Sequence, residues 1–275
     1  KERCLMNDFK KSTICIEQTT KGGNLIRKLD KDDLLTEPVF LVSKNEIKKL
    51  VDNFTGTSES VAAAISFLTN TQIKGKNILV IGYGSVGKGL VQILKNYGAN
   101  VMITEIDALN SCKAYFEVGI KSKPLRKAIQ KADIVLTCTG QLEEPVLDNQ
   151  LIMLAKSGTY FANAGSAGEI PIYELEKVSN FCEKMNEYTD IYSLNNEKKV
   201  FLLAEGQPLN LTAGNGNAIE SITTTFLLET LTAKWALKNI DDLEPKIYPV
   251  PDKITRKVSK ILCEVYKLYY EEDDL

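Results

Sequence analysis

Gly82, Gly84 and Gly87 stand in the run Ile81-Gly-Tyr-Gly-Ser-Val-Gly87, and Glu105 follows about twenty residues later, a combination suited to holding a dinucleotide. Gly82 permits the tight turn, Gly84 lets backbone N–H groups approach a pyrophosphate, and Gly87 lets the following helix pack close to the strand. Ser85 and Val86 open that helix, whose positive N-terminus would carry the pyrophosphate. Glu105 can accept hydrogen bonds from a ribose 2′-OH and would repel a 2′-phosphate, so the expected cofactor is NAD rather than NADP.

Lys48 and Asp52 are four apart and share one face of an expected helix, with Asn53 beside them. A lysine held near a cofactor can take a proton from an alcohol as hydride leaves, although this spacing alone more commonly marks a surface ion pair. Small polar residues and glycine gather at three strand ends: Thr137-Cys-Thr139-Gly140, Asn163-Ala-Gly-Ser-Ala-Gly168, and Glu205-Gly206 with Asn210. Ligands of open α/β sheets bind outside the carboxyl ends of strands, so these turns are expected to line a cofactor crevice. The 275 residues contain no histidine, which excludes within them any mechanism that needs imidazole. The six cysteines (Cys4, Cys15, Cys112, Cys138, Cys182, Cys263) form no C-x-x-C pair, so no metal site or disulfide framework is expected. Buried, reduced thiols of a cytoplasmic protein are the expectation.

The elements that would position these residues alternate in the manner of a doubly wound parallel sheet. Strands are expected at Ile78–Ile81, Val101–Thr104, Asp133–Cys138, Thr159–Asn163 and Val200–Leu203, with two short ones at Thr13–Ile16 and Val39–Val42. Helices are expected around Thr57–Asn70, after Gly84, and at Leu125–Ala132, Asn149–Lys156 and Ile172–Ser179, the last with Pro171 at its start. A long helix from Ala218 to about Lys238 and a final one near Lys253–Tyr270 follow, and Glu271-Glu-Asp-Asp274 reads as a solvated tail. The two short strands are separated by a charged, glycine-bearing stretch from Lys21 to Glu37. Apolar content of 44% and charged content of 25% are those of an ordinary globular protein. A net charge of −2 gives no electrostatic case for nucleic acid or an anionic membrane, and no apolar run has the length of a membrane span. The lysine-rich opening Lys1–Lys11 lacks the apolar core of a signal peptide, and the absence of an initial Met suggests a trimmed or partial product.

Taken together, these motifs resemble the S-adenosylhomocysteine hydrolase (adenosylhomocysteinase) family. Glu17-Gln-Thr-Thr-Lys-Gly22 is similar to its Glu-Glu-Thr-Thr-Thr-Gly, and Lys48-Lys-Leu-Val-Asp-Asn53 to its Lys-x-x-x-Asp-Asn. Gly75 to Gly89 and Thr104-Glu-Ile-Asp107 resemble its nucleotide-binding signature, and Leu202-Leu-Ala-Glu-Gly206 with Asn210-Leu211 a later block. The resemblance implies that bound NAD oxidises a ribose 3′-hydroxyl, that the ketone acidifies the 4′ C–H so that a thiol leaves, and that water adds before the ketone is reduced. It implies Lys48 as the base at the 3′-hydroxyl, Asp52 as its partner and Asn53 between substrate and nicotinamide. It further implies cofactor contacts from Thr19, Thr20, Glu105, Asn110, Asn163 and Asn210.

Departures from the family pattern accompany the matches. Ser166 and Asn217 stand where the family has histidines, Gln18 replaces the second Glu of its threonine motif, Lys21 replaces the third Thr, and Thr57 stands at a cysteine position. The family's N-terminal substrate-domain segment and its C-terminal tail are expected to be missing. The expected organisation is a partial substrate domain over 1–56, a Rossmann NAD domain over 57–213 and a helical return segment over 214–275. The expected function is that of an NAD-dependent enzyme acting on a nucleoside. Two alternatives are a non-catalytic NAD-binding regulatory protein and a nucleoside oxidoreductase or epimerase without hydrolase activity. The resemblance also implies a homodimer or homotetramer with helices after Asn217 in its interface.

Overall fold

The computed structural model describes residues 13–140 and 144–271; Cys4, the lysine-rich opening and the acidic tail beyond Glu271 lie outside them. Among the described residues the strands are, in chain order, β1 (Cys15–Glu17), β2 (Val39–Leu41), β3 (Asn77–Ile81), β4 (Asn100–Thr104), β5 (Ile134–Thr137), β6 (Tyr160–Asn163), β7 (Ser179–Asn186), β8 (Thr189–Leu194), β9 (Lys199–Leu203) and β10 (Ile247–Pro249). The chain divides into two compact units, one running from Asn53 to Ala218 and the other combining the residues up to Asp52 with those from Ile219 onward.

The 53–218 unit is built on a seven-stranded sheet in the order β4-β3-β5-β6-β9-β8-β7. β4, β3, β5, β6 and β9 run parallel. The strand residues alternate between two cores: Ile78, Val80, Ile134 and Leu136 pack with Val61, Ile65, Leu90 and Leu94 of the helices Ser58–Thr69 and Ser85–Asn96. Leu79, Ile81, Val135 and Phe161 pack with Ile129, Ile152 and Leu175. A sheet buried on both faces by crossover helices reads as continuous apolar runs, which is how these strands are written. Because β4 and β5 flank β3 on opposite sides, the connections reverse direction at β3, and a crevice opens there at the strands' carboxyl ends.

The structure departs from the sequence expectations at several elements. The expected helix Ile172–Ser179 ends at Glu176, and Ser179 begins β7, which pairs antiparallel with β8. β8 pairs antiparallel with β9 in turn. β7 is exposed along nearly its whole length, with Phe181 and Met185 among its outward residues, so no buried face imposes an apolar alternation. A helix at Ala108–Val118, capped by the Asp107 side chain, was also without an expected counterpart. The thiols depart too: among the described cysteines Cys138 alone is buried, Cys263 is half-buried, and Cys15, Cys112 and Cys182 are exposed.

The other unit holds a three-stranded parallel sheet, β1-β2-β10, with β2 in the middle. Phe40 of β2 is fully buried, stacked on Tyr248 at 5.2 Å and edge-on to Trp235 at 6.0 Å. The charged stretch after Glu17 contains a helix, Thr20–Lys31, that buries only Gly23 and leaves Leu25 and Leu29 exposed. The helices Ile219–Lys238 and Asp252–Tyr266 complete the unit around Val42, Leu228, Val250, Ile254 and Val258. No helix among the described residues is long and apolar enough to cross a membrane.

Candidate functional site

In the 53–218 unit the glycine loop joins β3 to the helix Ser85–Asn96, with Gly84 at the N-cap position. Gly82 has φ +103°, and a Cβ there would lie 3.0 Å from the Cys138 carbonyl oxygen. A Cβ on Gly87 would lie 2.1 Å from the Gly82 carbonyl oxygen. Around Gly84 the chain leaves open space: a Cβ would meet nothing within 4 Å. Two glycines thus close the protein upon itself and the middle one leaves room for an approaching group, as pyrophosphate binding requires. Ser58, fully buried, anchors the loop from behind by donating to the Val86 carbonyl at 2.9 Å.

Glu105 follows β4 and is tied to the same loop. Its carboxylate accepts from the backbone N–H of Tyr83 at 2.6 Å, Ile106 at 2.7 Å and Asp107 at 2.9 Å. Asn110 lies in the first turn of the next helix, its N–H donating to the capping Asp107 at 2.8 Å. Thr139 and Gly140, after β5, are joined to the turn after β6 through Glu169, a fully buried residue outside the motifs. Asn163 is fully buried: its oxygen accepts from the Gly165 N–H at 2.7 Å, and its amide donates to the carbonyls of Ser166 at 2.7 Å and Gly206 at 2.9 Å. Its side chain therefore ties the turn after β6 to the segment after β9. Asn210 donates to Asn217 at 3.1 Å, and Asn217 donates to Thr57 at 3.0 Å. The two positions that depart from the family's cysteine and second histidine are thus joined to each other.

Cys138 is buried behind the glycine loop, its thiol donating to the carbonyls of Ile81 and Gly82. Burial, reinforced by the carboxylates of Glu169 and Glu105, pushes that thiol well above its usual range, so it stays protonated and unreactive.

The other unit carries Lys48 and Asp52. Lys48 Nζ lies 3.1 Å from Asp52 Oδ2, and the two side chains are only 9% and 4% exposed. The pair is therefore a buried one, which is costly to assemble and needs further hydrogen bonds around it. Thr225, fully buried on the helix Ile219–Lys238, donates to Asp52 Oδ2 at 2.6 Å. Glu229 lies one turn further along that helix, and burial, followed by the charges of Glu17 and Asp52 acting against Lys48, raises its pKa. Lys48 closes a short α-helix, Glu46–Lys48, capped by Asn45, and Asp52 and Asn53 belong to a π-helical stretch, Lys49–Thr57. Such widened turns are rare and frequent at functional sites. The division between the units falls between Asp52 and Asn53. Thr19 and Thr20 also lie in this unit: Thr19 caps the helix Thr20–Lys31, accepting from Gly22 N–H at 2.9 Å and donating to Glu17 at 2.5 Å.

Glu169, Thr225 and Glu229 had no motif to announce them. Their signal is of another kind: Glu169 is the only charged residue between Lys156 and Glu174, and Glu229 the only one between Glu220 and Lys234. A lone charge in an uncharged run is placed for a partner rather than for solvent.

Comparisons with known proteins point to one family. A family model described as "S-adenosyl-L-homocysteine hydrolase, NAD binding domain" matches residues 53–216. The chain is 37% identical over 246 residues to an adenosylhomocysteinase of Thermoplasma acidophilum, covering 89% of this chain and 59% of that protein. It is 36% identical over 248 residues to an adenosylhomocysteinase of Thermotoga maritima, covering 89% and 60%. An S-inosyl-L-homocysteine hydrolase of Methanopyrus kandleri is 31% identical over 260 residues, covering 93% and 60%. The chain thus spans about three-fifths of the length of these relatives.

Proposed function

The chain belongs to the S-adenosyl-L-homocysteine hydrolase family and its cofactor is NAD, and from that premise we propose that it transiently oxidises the ribose 3′-hydroxyl of an adenosine- or inosine-type nucleoside. The observation that carries the reading is the buried Lys48–Asp52 pair held by Thr225. A solvated face would not keep two charges at this depth. When bound, NAD supplies the acceptor for the C3′ hydride and later returns it. Lys48 as the neutral amine takes the O3′ proton, the ammonium so formed is the partner that Asp52 holds in the charged pair, and Asn53 orients the reacting ribose. Glu105 receives the adenosine ribose hydroxyls of the cofactor, and Gly84 leaves room for its pyrophosphate.

Full hydrolysis also needs a group to move the C4′ proton and protonate the departing thiol. Ser166 and Asn217 do not titrate near neutral pH. Glu229, a carboxyl whose pKa burial raises and which feels the charge of Lys48, is a candidate to donate the proton to the departing sulfur. The commitment of Asn217 to Thr57 and Asn210 favours a second reading, in which the redox step occurs without thiol elimination. An oxidation or epimerisation of the sugar hydroxyl would then be the outcome.

The test is to supply the purified protein with NAD and follow reduced-nicotinamide absorbance on adding adenosine, inosine or S-adenosylhomocysteine, with thiol release measured in parallel. NADH that forms with a nucleoside and is lost in Lys48→Ala, while that variant still binds NAD, supports ribose oxidation. NADH without thiol release selects the second reading. Bound NAD that stays oxidised with every nucleoside counts against both and leaves a non-catalytic NAD-binding protein.

A further inference from the structure

Glu169 is fully buried, yet its carboxylate accepts three backbone N–H groups. Oε2 accepts from Thr139 N–H at 3.1 Å, and Oε1 accepts from Gly140 N–H at 2.8 Å and Ser166 N–H at 2.8 Å. Thr139 and Gly140 follow β5 and Ser166 follows β6, so one side chain links the turns at the carboxyl ends of two neighbouring strands. Gly165 is required beside it, because a Cβ there would lie 2.1 Å from Oε1. The main chain of residue 166 is held from both sides, its N–H by Glu169 and its carbonyl by Asn163 at 2.7 Å.

The same device appears on the other side of the switch point. Glu105 also accepts three backbone N–H groups, and it ties the turn after β3 to the turn after β4. A doubly wound sheet binds a dinucleotide across two mononucleotide halves, and Glu105 belongs to the half that receives the adenosine ribose. The turns after β5 and β6 belong to the other half.

We propose that Glu169 is the positioning residue of the nicotinamide half of the cofactor site, fixing the turns at Thr139–Gly140 and Ser166 as the walls between which the nicotinamide nucleotide is held. Three charge-assisted hydrogen bonds within a water-excluded site hold those turns rigid before the cofactor arrives, so little ordering remains to oppose binding. Because the adenosine half has its own carboxylate, the effect of Glu169 is confined to one half of the ligand.

This confinement is the test. NAD and ADP, which lacks the nicotinamide nucleotide, are titrated calorimetrically into the full chain and into Glu169→Gln. The expected result is a loss of about tenfold or more in NAD affinity with ADP affinity held within about twofold, the scale of losing hydrogen bonds to a charged group. Gly165→Ala, which drives a methyl onto Oε1, is expected to give the same split. Equal losses for NAD and ADP, or no loss for either, would overturn the proposal. Amide hydrogen exchange in the unmodified protein provides a reading that does not depend on a variant folding. The N–H groups of Thr139, Gly140 and Ser166 should exchange slowly, and exchange at the rate of exposed loop amides would equally overturn it.

Discussion

At the scale of single residues, burial distinguishes ion pairs that matter from those that do not. Asp52→Ala leaves the Lys48 ammonium buried without its carboxylate and should cost about 3–5 kcal/mol, read as a lowered denaturation midpoint. Lys184→Ala breaks a pair whose partners, Lys184 and Glu205, are both more than half exposed, and should change stability by about 0–1 kcal/mol. Glu229 yields a pH signature. Its folded pKa lies above the ordinary carboxylate value, so the folded chain binds that proton more tightly than the unfolded one. Its contribution is therefore unfavourable above the folded pKa and vanishes below the unfolded one. Glu229→Gln should stabilise the protein at neutral pH, and thermal melts should show that gain shrinking as pH falls toward the unfolded carboxylate range. The spacing of Lys48 and Asp52 could be read from sequence, but their depth could not, since it depends on Thr225 reaching Asp52 from far along the chain.

At the scale of elements, the glycine turn separates fold from binding. Gly84→Ala places a methyl in space the protein leaves open, at a φ of −74° that alanine accepts. Its thermal stability should stay within about 0.5 kcal/mol of the parent. Its NAD affinity, measured by titration, should fall sharply. Gly87→Ala places the methyl against the Gly82 carbonyl and should cost about 1–3 kcal/mol of stability as well as NAD binding. The parallel strands were legible because both faces are buried and their residues are almost all apolar. β7 was not, because it is exposed along nearly its whole length, and the helix Thr20–Lys31 was not, because Gly23 is its only buried residue. The helix Ala108–Val118 was not legible either, because Ala114 is its only buried residue.

At the scale of the whole molecule, the 53–218 unit is a continuous stretch with a core on each face of its sheet. Excised as residues 53–218, it should unfold in one cooperative transition and bind NAD, as calorimetry and titration would show. The alternation of strand and helix signals was enough to indicate this unit's class. What no local pattern could reveal is that β2 is completed by β10, because that pairing joins segments far apart in sequence. This has a consequence for the chain as it leaves the ribosome. β2 emerges with Val39, Phe40 and Leu41, but the strand and the aromatic residues that cover it are made roughly two hundred residues later, on the order of 10–40 s of synthesis. Through that interval the nucleotide-binding unit can already be assembled while β2 still has a hydrophobic edge unpaired, the kind of surface that nascent-chain chaperones shield and that neighbouring polypeptides capture.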